Sequence, residues 1–237
     1  MDNASRPFVI VCDLDDTLYL ERDYVASGFL AVGEWAEKQL SLPEFGDVAW
    51  ALFEAGHRER IFDAALQELG VDENRTLIEQ MVAVYRGHKP TIKLQDDFHR
   101  FISGGFALGG LALVTDGYRE AQQNKIAALD LEELGFSPIV VTDIWGRDYW
   151  KPHQRAFLHV DDCFQYRPCS FVYIADNATK DFLAPNQLGW TTVQISRPGG
   201  LHRKQPPTAD HAPKAHIDSF DQLPEILGLI RVDSPES

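Results

Sequence analysis

The chain has 237 residues, and 22 Lys+Arg against 36 Asp+Glu give a formal net charge of −14. Hydrophobic residues make up 44% and charged residues 24%, a globular composition that excludes wholesale disorder and fibrous repeats. The acidic balance repels a polyphosphate backbone, so nucleic acid is not an expected partner. Cys12, Cys163 and Cys169 cannot all pair and form no C-x-x-C motif, so reduced thiols in a cytoplasmic protein are expected. The short polar start, Met1–Pro7, lacks the basic region and cleavage pattern of a secretory signal. The longest uncharged stretch, Phe101–Thr115, carries four glycines and falls short of the ~20 apolar residues that a spanning helix needs. No membrane association is expected.

Phe8–Cys12 is a continuous apolar run, which predicts a strand buried on both faces. Residues 18–95 contain no convincing strand. Their apolar residues fall at helical spacing instead: Phe29, Leu30, Trp35 and Leu40, then Leu52 and Phe53, then Phe62, Leu66 and Leu69, then Leu77, Met81 and Tyr85. Gly70 stands where a helix would end, and Pro90 follows another. A helical bundle inserted after the first strand fits this interval, with its Trp and Phe residues as bundle core. Beyond it, apolar runs at Leu111–Val114, Pro138–Thr142, Phe171–Ala175 and Thr191–Ile195 alternate with helical patterns at Tyr118–Leu129, Gln154–Cys163 and Thr179–Leu188. That alternation predicts an α/β fold, a doubly wound parallel sheet of the Rossmann-like kind, with residues 1–17 and 96–237 as its core. Arg197–Pro213 is rich in Pro and Gly and reads as an irregular surface segment, and Asp221–Leu229 as a closing helix.

The sharpest feature is Asp13-Leu14-Asp15-Asp16-Thr17-Leu18, directly after the first strand. Ligands of open α/β sheets bind outside the carboxyl ends of the strands. Three carboxylates in four positions repel one another, and a hard divalent cation such as Mg²⁺ would relieve that repulsion. A turn or helix cap is the plainer explanation for such residues. Three more polar groups fall at the ends of later strands. They are Thr115-Asp116-Gly117, Lys151-Pro152, and Ala175-Asp176-Asn177 with Asp181 in the helix that follows. A hydroxyl and free backbone N–H groups can bind anion oxygens, and a lysine can face the same crevice. All four groups land on one edge of one sheet, which turn chemistry alone does not require.

Asp13-Leu14-Asp15-Asp16-Thr17, Thr115, Lys151 and Asp176…Asp181, in that order, resemble the four motifs of the haloacid dehalogenase-like hydrolases. The resemblance covers nearly the whole chain, including a helical cap at residues 18–95. Gln123-Asn124-Lys125 and Lys180-Asp181-Phe182 are similar to a phosphatase-like branch. The resemblance implies that Asp13 is the nucleophile that takes the phosphoryl group. It implies that Asp15 is the general acid and then the base, and that Thr115 and Lys151 hold phosphoryl oxygens. Asp13, the backbone carbonyl of Asp15, and Asp176 would bind Mg²⁺, with Asp181 positioning that shell. The chemistry is consistent with this, since a carboxylate attacks an anionic ester poorly unless cations cancel the repulsion. The departures are Ala175 where glycine is usual, a longer Gly146–Trp150 stretch, and His153 after Lys151-Pro152.

The expected activity is therefore a Mg²⁺-dependent phosphomonoester hydrolase acting on a small phosphorylated metabolite. A phosphosugar mutase on the same scaffold is the nearest alternative enzyme. A non-catalytic phospho-accepting or binding module is the alternative of another class. In receiver modules, however, the phosphorylated Asp follows the acidic pair, whereas here Asp13 comes first. A dehalogenase would have no leaving alkoxide to protonate and no need of Mg²⁺. His153, His159, His202, His211 and His216 show no metal-ligand spacing and read as solvated or structural. The basic stretch Gly199–Lys204 reads as a solvated loop. Oligomeric state is not legible from the sequence.

Overall fold

The apolar runs lie in parallel strands because both faces of the sheet are covered by other elements. The structure, a computed structural model, describes residues 7–72, 74–165, 169–202 and 204–229. Within them the strands are β1 (Phe8–Cys12), β2 (Leu108–Thr115), β3 (Phe136–Val141), β4 (Ser170–Ala175), β5 (Thr191–Ile195) and β6 (Ala215–Ile217). They form one sheet in the order β3-β2-β1-β4-β5-β6, and every pairing is parallel. The chain winds outward from β1 through β2 to β3, then returns to the other side of β1 for β4, β5 and β6. The order therefore reverses between β1 and β4, and in such sheets the crevice opens at the carboxyl ends of the strands flanking that point. Asp13 and Asp176 follow those two strands. The Asp13 N–H donates to the Ile174 carbonyl at 2.9 Å, so β1 stays registered on β4 up to the first acidic residue.

Helices α1 (Glu21–Leu40), α2 (Phe45–Glu54), α3 (Ile61–Glu68) and α4 (Arg75–Gly87) come between β1 and β2, followed by α5 (Asp96–Ile102). Then come α6 (Arg119–Ala128), α7 (Arg155–Phe164), α8 (Leu183–Gln187) and α9 (Leu223–Leu227). The chain divides into two units, one of Met1–Glu21 and Lys93–Ser237, the other of Arg22–Ile92. Among the described residues the second unit is all helical. Its core is aromatic, with ring centroids of Phe29 and Phe62 5.8 Å apart and those of Phe45 and Phe62 6.0 Å apart. Gly33 and Gly46 let α1 and α2 touch: a Cβ on Gly33 would lie 3.0 Å from the Gly46 Cα. The Asn74 side chain caps α4 by accepting from the Leu77 N–H at 2.8 Å.

In the first unit, Val9, Val11, Tyr173 and Ala175 face one side of the sheet and pack with Phe157 and Val160 of α7 and with Phe182 and Trp190. Period-two alternation sends Ile10, Cys12, Val172 and Ile174 to the other side, where they are also buried. Cys12, which is buried, and Cys163, which is exposed, are free thiols. Among the described residues no helix is long and apolar enough to cross a membrane.

Three elements differ from the sequence expectation. The helix expected over Thr179–Leu188 is an α-helix only at Leu183–Gln187, so Asp181 lies in the turn before it. Pro185 explains this, because a residue without an N–H is tolerated only in a first turn. The Asn177 side chain holds the preceding turn, accepting from the Thr179 N–H at 3.1 Å and hydroxyl at 2.7 Å. The tail contributes β6, a three-residue edge strand too short to announce itself by pattern. The closing helix is a 3₁₀ turn at Phe220–Gln222 followed by α9, which stops at Gly228 with φ 61°. Residues 1–6 and Arg203, which belong to the polar start and the basic stretch, lie outside the described residues.

A buried ion pair ties the loop after β5 to α5. Arg197 Nη1 lies 3.0 Å from Asp97 Oδ2, with side chains only 4% and 9% exposed. Arg197 Nε also donates to the Thr17 carbonyl at 2.7 Å, and Asp97 Oδ2 accepts the Phe220 N–H at 2.8 Å. Burial pushes the Asp97 carboxyl up, but Arg197 and the Phe220 N–H outweigh it and hold the carboxyl below its usual range. Asp97→Asn strands the buried guanidinium and is expected to cost about 3–5 kcal/mol at neutral pH. A depressed folded value stabilises above the unfolded value, near 3.9, and that contribution fades as pH falls through the folded one. Urea unfolding at pH 7 and at about pH 3 checks this, and the gap between wild type and variant should shrink at the lower pH.

Candidate active site

Five of the six residues singled out in the sequence sit at the carboxyl ends of the sheet strands or in the turns just beyond them. Lys151 reaches the same edge from the loop between β3 and α7. Its ammonium is fully buried, donates to Asp13 Oδ1 at 2.5 Å and the Tyr173 hydroxyl at 3.1 Å, and ion-pairs with Asp181 Oδ1 at 2.7 Å. The Tyr173 hydroxyl donates in turn to Asp181 Oδ1 at 3.2 Å. Burial alone would drive the proton off this lysine, but Asp13 and Asp181 beside it hold its pKa well above the ordinary value.

Burial raises the Asp13 carboxyl to about 6, with Lys151 pulling it down and Asp181 pushing it up. Asp176 is less well served. Burial, then the charges of Asp181 and Asp13, push it well above the carboxylate range. Its Oδ2 is buried without a hydrogen-bond partner. Carboxylate oxygens of Asp13, Asp176 and Asp181 all lie within 4.8 Å of one another, and all three residues are buried. Clustered hard oxygen donors with an orphaned oxygen among them suit a divalent cation, which would relieve the repulsion and occupy that oxygen. Asp181 sits within this cluster, yet its Oδ1 is on Lys151 and its Oδ2 accepts the Asn177 N–H at 3.1 Å. Asp176 also opens on a cavity of about 510 Å³ lined by Gln194, Arg197, His202, Lys204 and His216.

The three carboxylates after β1 do not converge on one point; each has its own partners, Asp13 on Lys151. Asp15 turns toward α6, where Lys125 Nζ donates to Oδ1 at 2.6 Å and Gln122 Nε2 to Oδ2 at 3.1 Å. The Tyr19 hydroxyl donates to Oδ1 as well. Burial would raise this carboxyl, but Lys125, Tyr19 and Gln122 together hold it below the usual range. Asp16 adopts φ 51° and accepts two backbone N–H groups, from Glu21 at 2.9 Å and Leu201 at 2.6 Å. Asp16 is thus a loop lock. His202, read as solvated, lies 3.4 Å from Glu21 in the same loop cluster.

Thr115 ends β2, and its hydroxyl oxygen accepts from Gln122 Nε2 at 2.6 Å. Gly117 permits that approach: its φ is 132°, and a Cβ there would lie 3.0 Å from the Gln122 Cδ. Asp116 is a hub that the sequence did not reveal. Its Oδ1 accepts the Lys151 backbone N–H at 3.0 Å and the Thr142 hydroxyl at 2.7 Å, while its Oδ2 takes Lys180 Nζ at 3.2 Å. Tyr19, Tyr173, Gln122 and Lys125 were also missed as site residues. Gln122 and Lys125 are three apart on a helix and read as an exposed polar face, while Tyr173 sits inside an apolar run. The available signal was their position, in the first two turns of the helix that follows Thr115 and two residues before Ala175.

No family model matches the chain, and no curated protein matches it. Solved structures do. The magnesium-bound putative HAD-hydrolase YfnB of Bacillus subtilis superposes with a TM-score of 0.65 at 20% identity, covering 94% of this chain and 99% of that one. A predicted phosphoglycolate phosphatase from Haemophilus somnus gives 0.60 at 19% identity, over 95% and 100% of the two chains. A 2-haloacid dehalogenase from Pseudomonas syringae gives 0.60 at 19% identity, over 94% and 98%. The fold is that of the haloacid dehalogenase-like hydrolases. Within this fold, neighbours named as phosphatases and as dehalogenases align equally well, so the chemistry must be read from the side chains.

The carboxylate cluster gives a test that needs no substrate. A group whose folded pKa is raised destabilises the fold once pH passes its unfolded value, so Asp176→Asn should raise the melting temperature of the metal-free protein at pH 7. A divalent cation that binds the folded state alone stabilises by about 2.7 kcal/mol at a hundred times its dissociation constant. Scanning with and without MgCl₂ should show an upward shift in wild type and little shift in Asp176→Asn.

Proposed function

We propose that this chain is a Mg²⁺-dependent phosphomonoester hydrolase that acts on a small phosphorylated metabolite through an aspartyl-phosphate on Asp13. The observation that carries the reading is the three-carboxylate cluster with its orphaned Asp176 oxygen beside the Lys151-held Asp13. Displacing a halide from a neutral carbon needs no such concentration of cation-seeking oxygens. Attack on a phosphoryl dianion does, because the nucleophile and the ester repel each other.

Asp13, Asp176 and the backbone carbonyl of Asp15 would hold Mg²⁺, which when bound supplies charge neutralisation for the phosphoryl oxygens. The Asp13 carboxylate attacks phosphorus, the bond from phosphorus to the ester oxygen breaks, and the leaving oxygen takes a proton at the Asp15 carboxyl. Water then attacks the aspartyl-phosphate, gives its proton to Asp15, and inorganic phosphate leaves with Asp13 restored. One acid–base group serves both halves. Lys125, Gln122 and Tyr19 fix that carboxyl in one orientation; Asp15 enters the first half protonated and regains its proton from water in the second. Thr115 and Lys151 would hold the phosphoryl oxygens. The net charge of −14 supports a small ester over nucleic acid or an anionic membrane surface, and the free thiols of Cys12 and Cys163 support a cytoplasmic setting.

Phosphate release from a panel of small phosphomonoesters tests this directly. Turnover should require Mg²⁺ and stop in excess EDTA. Asp13→Asn should abolish it, because an amide is neither a comparable nucleophile nor an anionic metal ligand. Asp15→Asn should lower it about 10²–10⁴-fold, the usual worth of general acid–base catalysis. Undiminished turnover in EDTA, or in either variant, would contradict the assignment.

A further inference from the structure

Gly146–Trp150, the stretch that departs from the family pattern, lies in the connection from β3 to α7, between and within short 3₁₀ turns at Thr142–Trp145 and Arg147–Tyr149. Both ends of this connection are fastened to the segment that follows β2. Asp143 Oδ2 accepts the Arg119 N–H at 3.0 Å, and Asp116 Oδ1 accepts the Lys151 N–H at 3.0 Å. The stretch is thus held between the residues after Thr115 and the backbone of Lys151.

Arg147 stands between these fastenings. Its guanidinium carbon lies 4.8 Å from the Tyr118 ring centroid and 5.5 Å from that of Trp150, and the two rings meet edge to face at 6.3 Å. Arg147 Nη2 donates to the Tyr118 hydroxyl. Trp150 brings a further donor, an indole Nε1 buried without a hydrogen-bond partner. Arg22, Arg60, Arg75, Arg100 and Arg197 each pair with a carboxylate, whereas Arg147 pairs with none among the described residues. It is exposed, and a guanidinium has five N–H donors. A cation held by rings rather than by an acid keeps both its charge and its fork available.

Helix α6 relates this arginine to the chemistry. Asp15, the acid that protonates the leaving oxygen, faces α6 through Gln122 and Lys125. Tyr118 is one turn before Gln122, whose N–H donates to the Tyr118 carbonyl at 3.0 Å. Three residues of chain also keep the Tyr118 Cα within about 11 Å of the Thr115 Cα. Asp15 and Arg147 therefore lie along the same side of the site.

We propose that Arg147, held by Tyr118 and Trp150, binds a second anionic group, a carboxylate or a phosphate, on the alcohol part of the substrate. This rests on the phosphatase reading and names its substrate class, a small ester with a further negative charge a few carbons from the scissile phosphoryl group. A guanidinium fork matches the paired oxygens of either anion, and the net charge of −14 leaves few cations to do so. Bracing is the competing account, in which Arg147 only holds Trp150, and with it Lys151, against Tyr118.

The test compares kcat/KM of the Mg²⁺-loaded protein for short alkyl phosphates that end in a carboxylate, a phosphate or a neutral hydroxyl. Wild type should favour a charged terminus over the neutral one roughly 10- to 100-fold, the worth of one hydrogen bond to a charged group. The terminus with the larger ratio identifies the anion. Arg147→Gln should erase the preference, and Arg147→Lys should keep part of it. No preference in wild type, or one that survives Arg147→Gln, would overturn the inference while leaving the phosphatase reading standing. An equal loss on charged and neutral esters in Arg147→Gln would do the same, because bracing acts on every substrate alike. Absence of phosphate release from every ester by the wild type would overturn both.

Discussion

One buried ammonium makes the rest of the site possible. Asp13, Asp176 and Asp181 bring carboxylate oxygens within 4.8 Å of one another in a region closed to water, where uncompensated charges are very costly. The Lys151 side chain, 0% exposed, answers two of them directly. Its own proton is secured by the same two carboxylates, so neither side of the pair is stable without the other. Asp176 is the remainder, a buried acid whose second oxygen has no hydrogen-bond partner among the described residues. The protein's own charges thus balance up to one position, and that position has the donor set of a hard cation.

Topology brings these groups together. The sheet order reverses between β1 and β4, so the strands that end in Asp13 and Asp176 are neighbours, with β2 and Thr115 on the far side of β1. Lys151 approaches across the edge, its backbone fixed by Asp116. The loop after β1 is locked by two devices away from the chemistry: Asp16 accepting the Glu21 and Leu201 N–H groups, and Arg197 bridging the Thr17 carbonyl and Asp97. The clustered carboxylates are thereby held by residues whose own partners are buried, which is what precise positioning requires.

Much of this was legible in the amino-acid order. β1 and β5 lie where their apolar runs place them, because a strand buried on both faces carries an unbroken signal. The helices between β1 and β2 follow their 3.6-residue spacing. The acidic group after β1 and the polar groups ending β2 and β4 were legible because they break apolar runs at one edge. What was hidden has a common cause. Gln122, Lys125 and Tyr173 are polar atoms on otherwise ordinary helix and strand positions, and their use depends on what the fold brings opposite them. The same holds for Asp15 and Asp16, which sequence treats as one acidic cluster. A positive φ at Asp16 sends the two carboxylates apart, and no residue pattern announces that turn. β6 was missed because three residues carry no periodicity, and α8 came out short because Pro185 permits only a first turn.

The central claim is that Asp13 takes the phosphoryl group covalently and Asp15 completes its release. Acid-quenching the Asp15→Asn protein during reaction with a ³²P-labelled ester of a good leaving group measures this most directly. The first step needs little proton donation with such a substrate, while the second lacks its base, so label should accumulate on the protein. Peptide mapping should place it on the segment containing Asp13, with none on Asp13→Asn. Label on another residue, or retained after Asp13 is replaced, would contradict the account.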